Sequence, residues 1–337
     1  MVELKKILNK RTYLMGFACI LIMIFHSDLA TLNENIVKLH LYIGVDIFLF
    51  LSGIGIAQSL NNNKEIKNFY KKRLDKILTV SLPLIIIIAF LMYAFADNYG
   101  IKEFYYQTTL SNFLLSKGNY SLFLWYIPAI LIYYLISPTI FKFYTTKENK
   151  IKSIITLLII CLMLIIFTTP YGFFSHYQIM TNRLPIYIIG LIYGVRIINN
   201  EKMTIWELIC WSILALIGII IIYLTTKYYS VFNGTLKILS FIPIVIISSI
   251  LLSNLIGKIE KKVKFLNVIG KYTLGIYVTH EALIYSGKGF IKKYNITNSL
   301  IVNPYIFALI AIVLSIIIAI IWTKFINYIK DNKSKEI

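Results

Sequence analysis

Charge is what this sequence has least of. Only 15% of its 337 residues are Asp, Glu, Lys or Arg, where a soluble domain carries about a quarter. With 58% of its residues hydrophobic, the chain cannot clothe a water-facing surface, and that excludes an ordinary soluble globular fold. Acidic residues are the scarcest, 15 against 34 Lys and Arg, for a net charge of +19. Such a balance would suit nucleic acid. The lysines, however, lie in short segments between apolar runs, as topology signals do, and no polar stretch is long enough to build a basic groove. The three cysteines, Cys19, Cys161 and Cys210, all fall inside apolar runs. They have neither metal-ligand spacing nor a disulfide framework and read as small packing hydrophobes. No metal is expected. There is no Gly/Ser linker and no appended soluble domain, so a single transmembrane domain over 1–337 is expected. The first apolar run has a basic flank but no small-residue cleavage site after it, which argues against a cleaved signal peptide.

What the sequence has is apolar runs of membrane-spanning length from one end to the other. Ten are read, at 12–30, 40–60, 77–96, 121–141, 152–170, 184–199, 206–225, 235–256, 266–286 and 301–328. Lipid offers backbone groups no partners, so each is expected to be a helix, and the fold class is an all-α polytopic membrane protein. Lys and Arg set the orientation. The segment before the first run (Lys5, Lys6, Lys10, Arg11), the one between the second and third (Lys64 to Lys76) and the one around Lys258–Lys264 are basic. The alternate segments are poor in cations. Positive residues stay inside, so both termini are expected to be cytoplasmic.

Ionisable residues inside a bilayer are costly and ask for a reason. His26 lies about 20 Å up a run that starts inside, Asp46 about 9 Å down a run that starts outside, and His280 about 21 Å up a run that starts inside. Three groups from three runs thus reach a similar depth in the outer half of the membrane. Glu281 follows His280 and could join them. A carboxylate beside an imidazole fixes its tautomer and raises its basicity. At the inner face, FYKKRLDKI gathers Lys71, Lys72, Arg73 and Lys76. Such a cluster attracts anionic lipid and can equally bind phosphate, with Arg73 able to do so bidentately. Ser52-Gly53-Ile54-Gly55 puts small residues mid-run, where helices can approach closely or a ligand can pass near the backbone.

These blocks, in this order, resemble the membrane acyltransferase family usually called acyltransferase-3. LMGFACILIMIFHS is similar to its first helix, which ends in a His. GVDIFLFLSG resembles its second, and Arg73-x-x-Lys76 resembles the basic pair that opens its third. WYIPAILIYYLISP, with Trp125, resembles its fourth. RLPIYIIGLIYG, with Arg183, and FLNVIGKYTLGIYVTHEALI, with Tyr277 and His280, resemble later blocks. One departure stands out: where the family has an Arg, eleven residues before the His, this chain has Met15. Either Arg11, one turn lower on nearly the same face, or Arg73 takes its place, or the chain belongs to a branch with altered donor binding.

The resemblance implies transfer of an acyl group, usually acetyl, from cytoplasmic acyl-CoA to a hydroxyl of a cell-surface polysaccharide or other extracytoplasmic glycan. His26 and Asp46 are the expected catalytic residues. Arg11, Arg73, Lys76, Ser52, Trp125, Arg183, Tyr277 and His280 are the expected substrate-binding ones. Two chemistries stay open: His26 as general base, or as carrier of a covalent acyl group. The expected setting is a multi-pass protein of the cell membrane, bacterial in type, with membrane lipid and glycan-synthesis proteins as partners. A transporter or flippase for a glycolipid or small solute is the rival reading, since it too would hold polar groups within its spans.

Overall fold

The computed structural model describes residues 1–27, 40–63, 65–96, 98–116, 124–146, 148–168, 177–227, 231–297 and 303–333. Regular structure there is helical apart from one ribbon, in which β1 (Val2–Glu3) pairs antiparallel with β2 (Lys202–Met203). In chain order the helices are α1 (Lys5–Asn9), α2 (Arg11–His26), α3 (Ile43–Asn62), α4 (Ile66–Phe95), α5 (Ile101–Thr108), α6 (Ser111–Leu115), α7 (Tyr126–Thr146) and α8 (Lys150–Phe167). There follow α9 (Gln178–Thr181), α10 (Leu184–Ile198), α11 (Ile205–Lys227), α12 (Val231–Ile259), α13 (Lys264–Lys271), α14 (Thr273–Lys293) and α15 (Pro304–Lys333).

Among the described residues, seven of these are long and apolar enough to cross a bilayer: α3, α4, α7, α8, α11, α12 and α15. The protein is therefore an all-helical, multi-pass membrane protein. The other three expected runs also form helices, and each falls short for a physical reason. α2 has 16 residues and α10 has 15, or about 24 and 22 Å of rise against a hydrocarbon core of about 30 Å. α14 is long enough but carries Glu281, Lys288, Lys292 and Lys293. The sequence reading also differs at three edges. α4 begins eleven residues earlier than expected. The segment before Trp125 contains α5 and α6. The run expected from 266 is broken at Tyr272 into α13 and α14.

The chain folds as two compact units. One comprises Met1–Ala18, Ile43–Tyr70 and Ile132–Asn267, and the other Cys19–Tyr42, Lys71–Leu131 and Val268–Ile337. In the first unit, α3 lies against α10 with backbones touching. A Cβ on Gly53 would overlap the Tyr187 carbonyl and the Leu191 amide, one on Gly190 the Phe50 carbonyl, and one on Gly194 would collide with Ala57 and Ile54. Small residues permit that approach where dispersion, rather than water, holds helices together. α11 meets α12 in the same way at Gly218, which faces the Ser240 carbonyl. Lys10 and Tyr13 both bond the carboxylate of Glu260, at 2.5 and 3.0 Å.

In the second unit, α14 packs on α15 through Gly275 against Ala319 and Gly287 against Phe307. Thr279 adds a hydroxyl donated to the Ser315 carbonyl. The Trp322 indole donates to the Val80 carbonyl at 2.8 Å, three residues before Pro83, in the turn where the proline removes a helical N–H and opens the ladder. In the first unit, the Tyr70 hydroxyl donates to the Leu135 carbonyl at 2.8 Å, three residues before Pro138.

Candidate active site

The second unit brings His26, His280 and Glu281 together. His26 is the last residue of α2, and its side chain is 28% exposed. Its Nδ1 stands 3.8 Å from Glu281 Oε1, and its ring lies edge-on to that of His280, 5.2 Å between centroids. That carboxylate distance is longer than a charge-assisted hydrogen bond but within ion-pair reach. It turns the Nδ1 edge of His26 toward Glu281, so a proton on Nδ1 is favoured and the lone pair is left on Nε2.

α14 supplies the rest of the cluster through its periodicity. Tyr277, His280 and Glu281 stand at i, i+3 and i+4 and so share a face. His280 is buried, and its Nδ1 lies 2.9 Å from the Ile276 carbonyl. A carbonyl can only accept, so Nδ1 carries the proton and Nε2 the lone pair. That Nε2 is buried and meets no hydrogen-bond partner among the described residues. The Tyr277 hydroxyl accepts a hydrogen bond from the Tyr126 amide at 3.2 Å, one of the N–H groups that the start of α7 leaves without a helical acceptor. A file of rings leads away from the histidines. Tyr277 lies 6.0 Å from His280, Tyr126 5.4 Å from Tyr277, Trp125 6.1 Å from Tyr126 and Phe113 6.3 Å from Trp125.

The same unit holds the expected basic pair on α4, with Arg73 half-buried and Lys76 exposed beside Lys71 and Lys72. Asp75, between them in sequence, is engaged by Lys330 at 2.7 Å and by the Thr79 hydroxyl at 2.8 Å.

Asp46 belongs to the first unit, where it faces Arg183. Arg183 Nε is 3.4 Å from Asp46 Oδ1, and both side chains are buried. Arg183 also donates to the Ile179 carbonyl at 2.9 Å. Asp46, expected from the sequence as a catalytic carboxylate, pairs with Arg183 within the first unit, while within the second unit Glu281 stands against His26. The sequence places the two opposite charges at the N-terminal ends of their apolar helices; that those helices are neighbours came from the structure.

Arg11 also lies in the first unit. Its Nε donates to the Leu51 carbonyl at 2.8 Å, and its guanidinium rests on Gly55, where a Cβ would stand only 3.0 Å from it. The two glycines of Ser52-Gly53-Ile54-Gly55 thus have different tasks: Gly53 admits α10 and Gly55 admits Arg11. Ser52, between the two contacts, is buried. Among the described residues, no group of His, Cys, Asp and Glu side chains converges so as to hold a metal ion.

An imidazole beside a carboxylate, with a second imidazole against it, is equipped for proton transfer and nucleophilic attack. The family model described as the acyltransferase domain, acyltransferase-3, matches residues 12–324, nearly the whole chain. No curated protein and no solved structure matches it. The chain belongs to the acyltransferase-3 family and is a membrane-embedded acyltransferase.

Proposed function

We propose that this protein moves an acyl group, usually acetyl, from cytoplasmic acyl-CoA to a hydroxyl of an extracytoplasmic cell-surface glycan. The single observation that carries the reading is the position of His26, whose ring meets both Glu281 and His280 of α14 at the end of an apolar helix. Glu281 holds the His26 tautomer and stabilises positive charge on the ring as it forms, leaving Nε2 to react. The membrane setting supports the division of labour. We read ten spans with both termini cytoplasmic, which puts Arg11, Arg73 and Lys76 at the inner face, where donor phosphates would be bound by charge-assisted contacts. His26 then lies in the outer half of the cell membrane, where a glycan hydroxyl arrives. Trp125 and Tyr277, in the ring file beside His280, offer the flat apolar faces on which a sugar ring rests. The buried Asp46–Arg183 pair joins the start of α10 to α3, on which Arg11 rests, and Ser52 lies buried on α3 between the two residues Arg11 touches. Met cannot bind phosphate, so Arg11, seated over Gly55, takes the part of the Arg that Met15 replaces.

The test uses purified protein in vesicles, with acetyl-CoA labelled in its acetyl group and a de-O-acetylated cell-surface polysaccharide. Label on the polysaccharide supports the reading. Movement of the polysaccharide across the bilayer without label on it would favour a transporter instead.

A further inference from the structure

The proposed function uses one histidine, and α14 sets a second, His280, against it. His280 is the better fixed. Its Nδ1–H is committed to the Ile276 carbonyl at 2.9 Å, so the buried Nε2 carries a lone pair, with no hydrogen-bond partner among the described residues. A buried acceptor left unmet is costly, and each such atom in a folded protein asks for an explanation. It belongs to the ring packed edge-on against His26. With the ring centroids 5.2 Å apart, the two imidazoles are close enough to act on one reacting group. Of the two, His26 is the more accessible to a large donor, and it alone has Glu281 on its Nδ1 side.

We infer that the two histidines divide the reaction: His26 carries the acyl group, and His280 Nε2 takes the proton of the acceptor hydroxyl. This rests on the function proposed above. In the first half, the Nε2 lone pair of His26 attacks the thioester carbonyl carbon. The carbon–sulfur bond breaks and CoA leaves as the thiolate. The Nδ1 proton of His26 passes to Glu281, so the acyl-imidazole is neutral. In the second half, the acceptor oxygen attacks the acyl carbon while its proton passes to His280 Nε2. The carbon–nitrogen bond breaks, its electron pair returns to His26 Nε2, and Glu281 gives the proton back to Nδ1. His280 then releases its proton to solvent, which balances the one taken up by the CoA thiolate.

Two substitutions separate this role from a structural one. In His280→Asn the amide nitrogen can replace Nδ1–H as donor to the Ile276 carbonyl, and nothing replaces Nε2. In His280→Gln an amide reaches the Nε2 position but cannot accept a proton. The first half is read as exchange of labelled CoA into acetyl-CoA without acceptor. The whole reaction is read as acetyl transfer to de-O-acetylated cell-surface polysaccharide. In both variants the ratio of transfer to exchange should fall by about 100-fold or more, the usual contribution of a positioned base. If transfer and exchange fall together, or if His280→Asn transfers like the parent, the assignment to His280 is overturned. A parent protein that transfers acetyl without any CoA exchange overturns it as well. Failure of the underlying reading looks different: His26→Ala would then retain transfer, whatever His280 does.

Discussion

Removing one partner of the Asp46–Arg183 pair should damage the protein far more than removing both. The charges are 3.4 Å apart, with 1% and 4% of their side chains exposed. At an effective dielectric constant of about 20, that separation corresponds to an attraction of about 5 kcal/mol, and desolvating each ion costs several kcal/mol. The pair as a whole is therefore close to neutral, while either charge left alone is expensive. Asp46→Asn or Arg183→Met should each destabilise by about 3–5 kcal/mol. The double variant should recover most of that loss, giving a coupling energy of about 5 kcal/mol or more, as large as the attraction itself and above the usual range for residues in contact. For a chain of this length, 3–5 kcal/mol is on the order of 5 °C in melting temperature. The assay is thermal unfolding of the purified protein and its three variants in one detergent. Losses that simply add in the double variant would refute the argument, because two charges in contact cannot be removed independently.

Further expectations follow from other parts of the structure. Glu281→Gln should lower kcat by about 100-fold with little change in the acetyl-CoA KM, since it perturbs the His26 tautomer rather than donor binding; steady-state kinetics in vesicles check this. Gly190→Ala pushes a methyl group into the Phe50 backbone and should cost about 1–3 kcal/mol as overpacking, whereas Gly257→Ala, with open space around it, should cost nothing measurable by melting temperature. At the end of α12, the hydrogen bonds from Lys10 and then Tyr13 hold the Glu260 carboxyl below its ordinary value of 4.5. A depressed acid contributes stability above its unfolded value and loses it as pH falls through the folded one. The melting temperatures of the parent and Glu260→Gln should therefore differ at pH 7, and the difference should shrink as the pH falls below the ordinary glutamate value and through the depressed folded one.

The helices were legible because lipid leaves apolar runs no other conformation, and the three His and Asp positions drew notice because charge is costly at that depth. Partner choice was not legible in the same way. Depth alone puts Asp46 and Glu281 on equal terms as neighbours of His26. The contacts each makes within its own unit depend on rotation about its helix axis, which depth does not give. In α3 that rotation is set by Gly53, Gly190 and Gly194 meeting backbone, which turns Asp46 to Arg183. In α14 the i, i+3, i+4 spacing of Tyr277, His280 and Glu281 was present in the letters, and it fixes one shared face. The helices α5 and α6 escaped notice because a segment of eight or five residues has too few turns to display a period. Arg11 was read as reaching along its own helix; the structure adds that a glycine on α3 makes room for it.

The central claim is that His26 is the reacting residue. Its most direct test is acetyl transfer to de-O-acetylated cell-surface polysaccharide by His26→Ala protein, with membrane insertion and melting temperature measured alongside. An inserted, folded protein that places no label on the polysaccharide is the predicted result. Label at the level of the parent protein would contradict the account.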